Sequence, residues 1–220
     1  MADDPRGWRP QRFGTRNFRH IKDALIEPFW EGVRVLVHLE PGGDLAILDE
    51  SGEDYAGEYP DVDAAIRAAA DAGDGLVLDG YLTRQATRSG AGTAIVAAEA
   101  PTPTESLARL VVGGAARQEV KPPEIDPDRQ PVAFVAVDLL LVDGESLLDV
   151  PLLERKRLLE GVLAESTLAR RSPYVRPPVD TWLVSWRSNG FRQLAYKSAN
   201  ARYHPGEASD DWTTAAMPAT

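Results

Sequence analysis

Side chains able to do chemistry are scarce in this chain and unevenly spread. There is no cysteine, so disulfides and thiolate metal sites are excluded, and the three histidines, His20, His38 and His204, lie far apart in sequence. No zinc site is expected. Only four lysines are present, Lys22, Lys121, Lys156 and Lys197, so an amine nucleophile would have few places to come from. Arginine carries most of the positive charge, and it clusters near the start in RGWRPQRFGTRNFRHIK. There Arg6, Arg9, Arg12, Arg16 and Arg19 are interleaved with Trp8, Phe13 and Phe18, a mixture that can contact phosphates and stack on bases. The plainer reading is an arm over residues 1–19 that is solvated or packs on the protein's own acidic surface. Just after it, EPFWEGVR sets Glu27, Glu31 and Arg34 around Phe29 and Trp30.

The rest of the chain bounds what these groups can do. A length of 220 residues with 43% hydrophobic content is enough for one full core. The formal net charge of -10 works against non-specific binding to a phosphate backbone, so any nucleic-acid contact must come from a local patch. No apolar run approaches the length of a membrane span, and the opening MADDPRGWRP has no secretory segment, which predicts a cytoplasmic protein.

Several elements can be read from pattern. RVLVHLE alternates Val33, Val35, Val37 and Leu39 with polar residues, PGG at 41–43 turns the chain, and DLAILDE follows, a strand hairpin. DVDAAIRAAADAG predicts a helix opening at Asp61 and closing at Gly73, and GLVLDGYLTR predicts another strand. From about 86 to 130 the chain is rich in Gly, Pro and small residues, with SLARLVV the one short helix expected there and SGAGTA a loop. PVAFVAVDLLLVDG reads as a strand covered on both faces. DVPLLERKRLLEGVLAE predicts a helix with Pro151 in its first turn, Leu152, Leu159 and Leu163 inward, and Glu154, Arg155 and Lys156 toward water. VDTWLVSWRSNG suits either a strand or a short capped helix. FRQLAYKS reads as a strand, and the chain is expected to fray after Trp212, leaving 213–220 as a tail.

FVAVDLLLVDGESLLDVPLLERKRLLEGVL, EPFWEGVRVLVHL, VLDGYL and GFRQLAYKSANARYHPG together resemble the adenylation domain of ATP-dependent DNA ligases, the nucleotidyltransferase fold shared with mRNA capping enzymes. The resemblance covers residues 20–212 and implies an α+β fold of antiparallel sheets flanked by helices. It also implies ATP and magnesium as cofactors, nicked or duplex DNA or a DNA-repair protein as partner, and a lysine that attacks the α-phosphate. That lysine falls on Phe29, which has no lone pair to give. The aspartate of the same segment falls on Glu31, the ribose- or metal-contacting acid on Tyr81, and the adenine-stacking ring on Val137. The metal-side glutamate and its glycine fall on Arg192 and Gln193, and the closing lysines on Thr214 and Ala216. Glu27, Arg34, Asp79, Asp138 and Lys197 remain at matching positions.

With the nucleophile, metal carboxylates and phosphate lysines replaced together, no step of adenylation keeps a candidate group. No catalytic residue and no metal ligand is assigned. Glu27, Arg34 and Lys197 are candidate nucleotide-binding residues, or structural partners of one another; Arg9, Arg12, Arg16 and Arg19 are candidate nucleic-acid contacts. Of the lysines, Lys197 is the one expected to line the pocket. The chain also ends before the family's oligonucleotide-binding β-barrel. Three functions stay open: a binding or scaffold module that has lost nucleotidyl transfer, an active ligase with an atypical site, and a non-covalent nucleotide or nucleic-acid binder.

Overall fold

Alternation along RVLVHLE produces a strand whose two faces meet different layers, and that division organises the whole fold. The computed structural model describes residues 4–70, 73–87 and 131–218. Among them, β1 (Arg12–Phe13), β2 (Ala24–Pro28), β3 (Val33–Leu39) and β4 (Leu45–Asp49) precede helix α1 (Pro60–Ala69). Next come β5 (Leu76–Thr83), β6 (Ala133–Val142), β7 (Glu145–Ser146), α2 (Leu152–Val162), β8 (Ala169–Arg171) and α3 (Asp180–Ser188). The chain then adds β9 (Gln193–Ser198), β10 (Ala208–Ser209) and β11 (Trp212–Ala216).

The large sheet runs β4-β3-β5-β6-β7 with antiparallel neighbours, and β8 adds to β6 in parallel. A second, antiparallel sheet runs β11-β9-β2, and β1 pairs with β10. This is the expected α+β arrangement. On one face of the large sheet, Val35, Val37, Leu78, Phe134 and Leu139 pack with Val62 and Ile66 of α1 and Leu159 of α2. The opposite face meets the second sheet through two apolar clusters, one around Trp30, Val137, Trp186, Phe191 and Leu194, the other around Leu25, Leu36, Leu140, Tyr203 and Trp212.

Bulges in β6 decide where its carboxylate points. The register steps from Gly80↔Ala136 to Asp79↔Asp138 and from Leu78↔Leu139 to Val77↔Leu141, so Val137 and Leu140 are each an extra residue. Val137 keeps the side set by Ala133 and Val135, against the second sheet, and the extra residue turns the alternation over after it, so that Leu139 joins Phe134 and Ala136 on the other face and Asp138 stands directly opposite Asp79. Gly80 is required beside this pair, because a Cβ there would lie 2.5 Å from the Val135 carbonyl oxygen and 2.4 Å from the Phe134 ring.

Several expectations need correction. Pro151 caps α2 rather than joining it, and the α2 start is satisfied by tertiary partners: Leu152 N donates to Ala201 O at 3.0 Å and Leu153 N to Ala199 O at 2.9 Å. Arg155 and Lys156 face inward and are fully buried; Glu154 alone of the three faces water. The α1 helix starts at Pro60 and stops at Ala69. The ambiguous segment is the helix α3, with Leu183 and Trp186 buried. Trp212–Ala216 does not fray but pairs along its length with β9. Nor do residues 4–19 form a separate arm. Trp8, Pro10 and Gln11 are buried, Arg12 N donates to Glu207 O at 2.8 Å, and Gly14 N to Trp212 O at 2.8 Å. Arg6 does lie on the acidic surface, 2.6 Å from Glu40. SGAGTA, SLARLVV and Lys121 lie outside the described residues.

Candidate functional site

Three strands carry a carboxylate inside an otherwise apolar run, and each carboxylate finds a cation from another element. Glu27 on β2 meets two. Lys156 Nζ of α2 lies 2.7 Å from its Oε1, and Lys197 Nζ of β9 lies 3.2 Å from its Oε2. Asp79 on β5 takes a two-pronged contact from Arg34 of β3, Nε to Oδ1 at 3.0 Å and Nη2 to Oδ2 at 2.6 Å. Tyr203 donates its hydroxyl to the same Oδ2 at 2.8 Å and accepts the Gln11 backbone N–H at 2.8 Å. Asp138 on β6 takes the same fork from Arg155 of α2, at 2.9 and 2.7 Å, while Arg155 also donates to the Val150 and Ala201 carbonyls. Among the described residues four buried cations thus face three buried carboxylates, none more than 9% exposed.

Aromatic rings take up the charge left over. The Arg34 guanidinium sits 5.4 Å from the Phe13 and Trp212 ring centres and 5.6 Å from that of Tyr81. Lys197 Nζ lies 4.4 Å from the centre of the Trp212 ring. Burial holds the Lys197 amine down to about 8, opposed by the attraction of Glu27. Burial pushes the Tyr81 phenol up to about 12, and burial beside Asp79 pushes Tyr203 up as well.

Past the end of β2, Trp30 and Phe29 have different surroundings. Trp30 is core: it packs edge-on to Phe191 at 4.8 Å and donates to Ser172 Oγ at 2.9 Å. Phe29 is half-buried and opens onto a cavity of about 380 Å3. Phe13 and Tyr81 line the same cavity, with ring centres 5.6 and 6.1 Å from Phe29, and Arg12, Arg34, Asp49 and Glu50 complete the wall. The turn from β2 to β3 depends on Gly32, whose φ is 147° and whose Cβ would lie 2.2 Å from the Leu82 carbonyl oxygen. A second cavity of about 340 Å3, across that turn, is lined in part by Glu31, Tyr55, Tyr59 and Gln85.

These groups do not fit a magnesium-bound triphosphate. Each buried carboxylate is already neutralised from within, Tyr81 brings a phenol in place of an acid, and among the described residues no group of three or more His, Asp or Glu is placed to hold a metal.

Of the candidate nucleotide-binding residues, the structure brings Glu27 and Lys197 into one ion pair and sets Arg34 nearby on Asp79. Only Arg34 lines the Phe29 cavity; Lys197, expected there, is sealed beneath Trp212 at 2% exposure. The candidate nucleic-acid arginines have separate fates. Arg9 is half-buried and donates to the Arg6 and Trp8 carbonyls. Arg12 borders the cavity, Arg16 lies 3.8 Å from Asp210, and exposed Arg19 covers Phe18. Sequence reasoning missed Lys156, Arg155, Tyr203 and Gln11. A charge inventory would have signalled the first two: carboxylates inside LIEPF, VLDGY and AVDLL need buried cations, and Arg34 and Lys197 are too few.

Comparison with known proteins agrees with the fold. The family model described as "ATP dependent DNA ligase domain" matches residues 15–214. A probable DNA ligase of Streptomyces coelicolor is 29% identical over 199 residues, 86% of this chain and 34% of that protein. The multifunctional non-homologous end joining DNA repair protein LigD of Mycobacterium tuberculosis is 26% identical over 187 residues, 85% of this chain and 21% of its own length. The chain therefore spans about a third or less of these relatives. The crystal structure of the M. tuberculosis LigD ligase domain superposes with a TM-score of 0.62 at 19% identity, covering 96% of this chain and 60% of that one. The likeness at that identity is one of fold.

Proposed function

Because this chain belongs to the ATP dependent DNA ligase domain family, we propose that it is a ligase-type domain that has lost nucleotidyl transfer and serves as a binding or scaffold module, working beside DNA-repair proteins. One observation carries the reading. The side chain at the reactive position is Phe29, and the two buried lysines among the described residues, Lys156 and Lys197, are 1% and 2% exposed and both committed to Glu27. Covalent transfer needs a free lone pair held in line with phosphorus. Neither amine offers one.

A second reading has one observation in its favour. With its amine held at about 8, Lys197 is partly neutral in mild alkali, as an attacking lysine must be. Reaching a phosphate would require Trp212 and Glu27 to release it. The two readings separate in one assay: purified protein incubated with labelled ATP and magnesium should form no acid-stable protein-AMP adduct. A labelled band that vanishes in Lys197→Arg would establish the second reading and overturn the first.

A further inference from the structure

Two of the changed family positions, 29 and 81, have become aromatic, and both face one space. Phe29 and Tyr81 form a wall there with Phe13, with successive ring centres 5.6 and 6.1 Å apart. At about 380 Å3 the cavity lies within the usual range for small-molecule sites, roughly 300–1,000 Å3. Its polar groups are arranged by sign. Asp79 is fully buried behind Arg34, and Arg34 lines the cavity in front, so the pair presents its positive end to the space. Arg12 is exposed at the rim, and among the described residues its guanidinium makes no hydrogen bond or ion pair. Asp49 and exposed Glu50 stand elsewhere in the wall, with Asp49 tied to its own turn through Ser51 and Glu53.

Polyphosphates meet two obstacles here. Asp49 and Glu50 repel each added negative charge, and neither buried lysine reaches the space. A single anionic group has two guanidiniums to meet, and a flat ring has three aromatic neighbours. We propose that the Phe29 cavity binds a planar aromatic group bearing one carboxylate, with the ring against Phe13, Phe29 and Tyr81 and the carboxylate on Arg12 and the outer edge of Arg34.

The N-terminal residues are part of this site. Phe13 and Arg12 are held in place by Arg12 N on Glu207 O at 2.8 Å and Gly14 N on Ser209 O at 3.0 Å. That explains why a segment with the composition of a solvated arm is stitched to the body. The inference rests on the reading of the domain as a binding module without transfer chemistry, and it can fail while that reading stands.

The test titrates the intact protein with indole-3-acetate, indole, acetate and tripolyphosphate, following amide shifts by NMR. Saturable shifts at 29, 32–34 and 81 are expected with indole-3-acetate at millimolar concentrations or below, and acetate and indole should bind at least tenfold more weakly. Arg12→Ala should raise the indole-3-acetate Kd about tenfold without changing the fold, since Arg12 is exposed. A peptide ending in tryptophan carries the same chemistry as the free acid. Tighter binding of one or the other assigns the source, and both outcomes support the site. No saturable response to either, tighter binding of tripolyphosphate, or an unchanged Kd in Arg12→Ala would overturn the assignment. An AMP adduct in the separate labelling assay would instead defeat the reading beneath it.

Discussion

Two neighbouring regions of the same cleft have been treated in opposite ways. In the cluster around Glu27, Asp79 and Asp138, where the family resemblance leads one to expect charged residues, every carboxylate is paired inside the protein. In the cavity around Phe29, just past the end of β2, rings stand where the family resemblance puts polar residues. Arg34 belongs to both. The contrast teaches that survival of a charged residue at a family position is weak grounds for chemistry when that charge is part of the core, whereas the residue opening onto free space reports directly on what can react.

The sharpest way to break that contrast is to remove Glu27. It neutralises two lysines that have no access to water, and taking one partner from a buried pair costs about 3–5 kcal/mol. Glu27→Ala should lose that much stability, read as a fall in urea midpoint with unchanged slope, and approach the limit of what a small domain can lose. Phe13→Ala, on the cavity side, removes a half-buried ring and should cost less. If the two variants were equally stable, the ion cluster would not be part of the core in energetic terms.

Most of the fold was legible in the residues, and the reasons it was not legible throughout are specific. Strands β3, β4, β5 and β6 announce themselves by period or by unbroken apolar runs, and α2 by its leucines. The inward turn of Arg155 and Lys156 could not be read from helical spacing, because their partners, Asp138 on β6, Glu27 on β2 and the Ala201 carbonyl, come from distant strands and loops that only the folded chain brings to the start of α2. The strand β11 was hidden because TTAAM carries no apolar alternation; its order comes from pairing to β9 and from Trp212, at 0% exposure, anchoring its start. The substitution at 29 was plain in the sequence. Its meaning depended on Phe13 and Tyr81, which only the folded chain brings to the same cavity.

A smaller effect separates the regions by pH. Lys197 gives up its proton near 8 in the folded protein and near 10.5 when unfolded, so between those values the unfolded chain binds more protons and this group's contribution to stability rises with pH. Tyr81 runs the other way. Its phenol ionises near 10 in the unfolded chain and near 12 in the folded one, so above pH 10 the folded protein holds the extra proton and stability falls. Urea midpoints measured from pH 7.5 to 11 should therefore carry a rising part that Lys197→Met abolishes, at most about 1.4 kcal/mol per pH unit, and a falling part that it leaves intact. The same rising slope in Lys197→Met would mean that the amine is not held near 8.

The smallest expected change comes from restoring lysine at Phe29. The position is half-buried and opens onto the cavity, so a long, polar side chain can reach water there and the fold should lose no more than about 1 kcal/mol. The new amine would stand near Arg34 and Arg12, and like charge lowers an amine's proton affinity, which favours the attacking form. Everything else it needs is missing. Tyr81 cannot hold a metal as a carboxylate does, and Asp79 and Glu27 are spent on Arg34 and the two lysines, which leaves the metal carboxylates unreplaced even with Arg12 at the rim. Phe29→Lys with labelled ATP and magnesium should therefore stay as unlabelled as the parent. A strong acid-stable adduct in this single variant would show that the charged cluster does more than hold two sheets together, and that core charge and cavity are not separate in function.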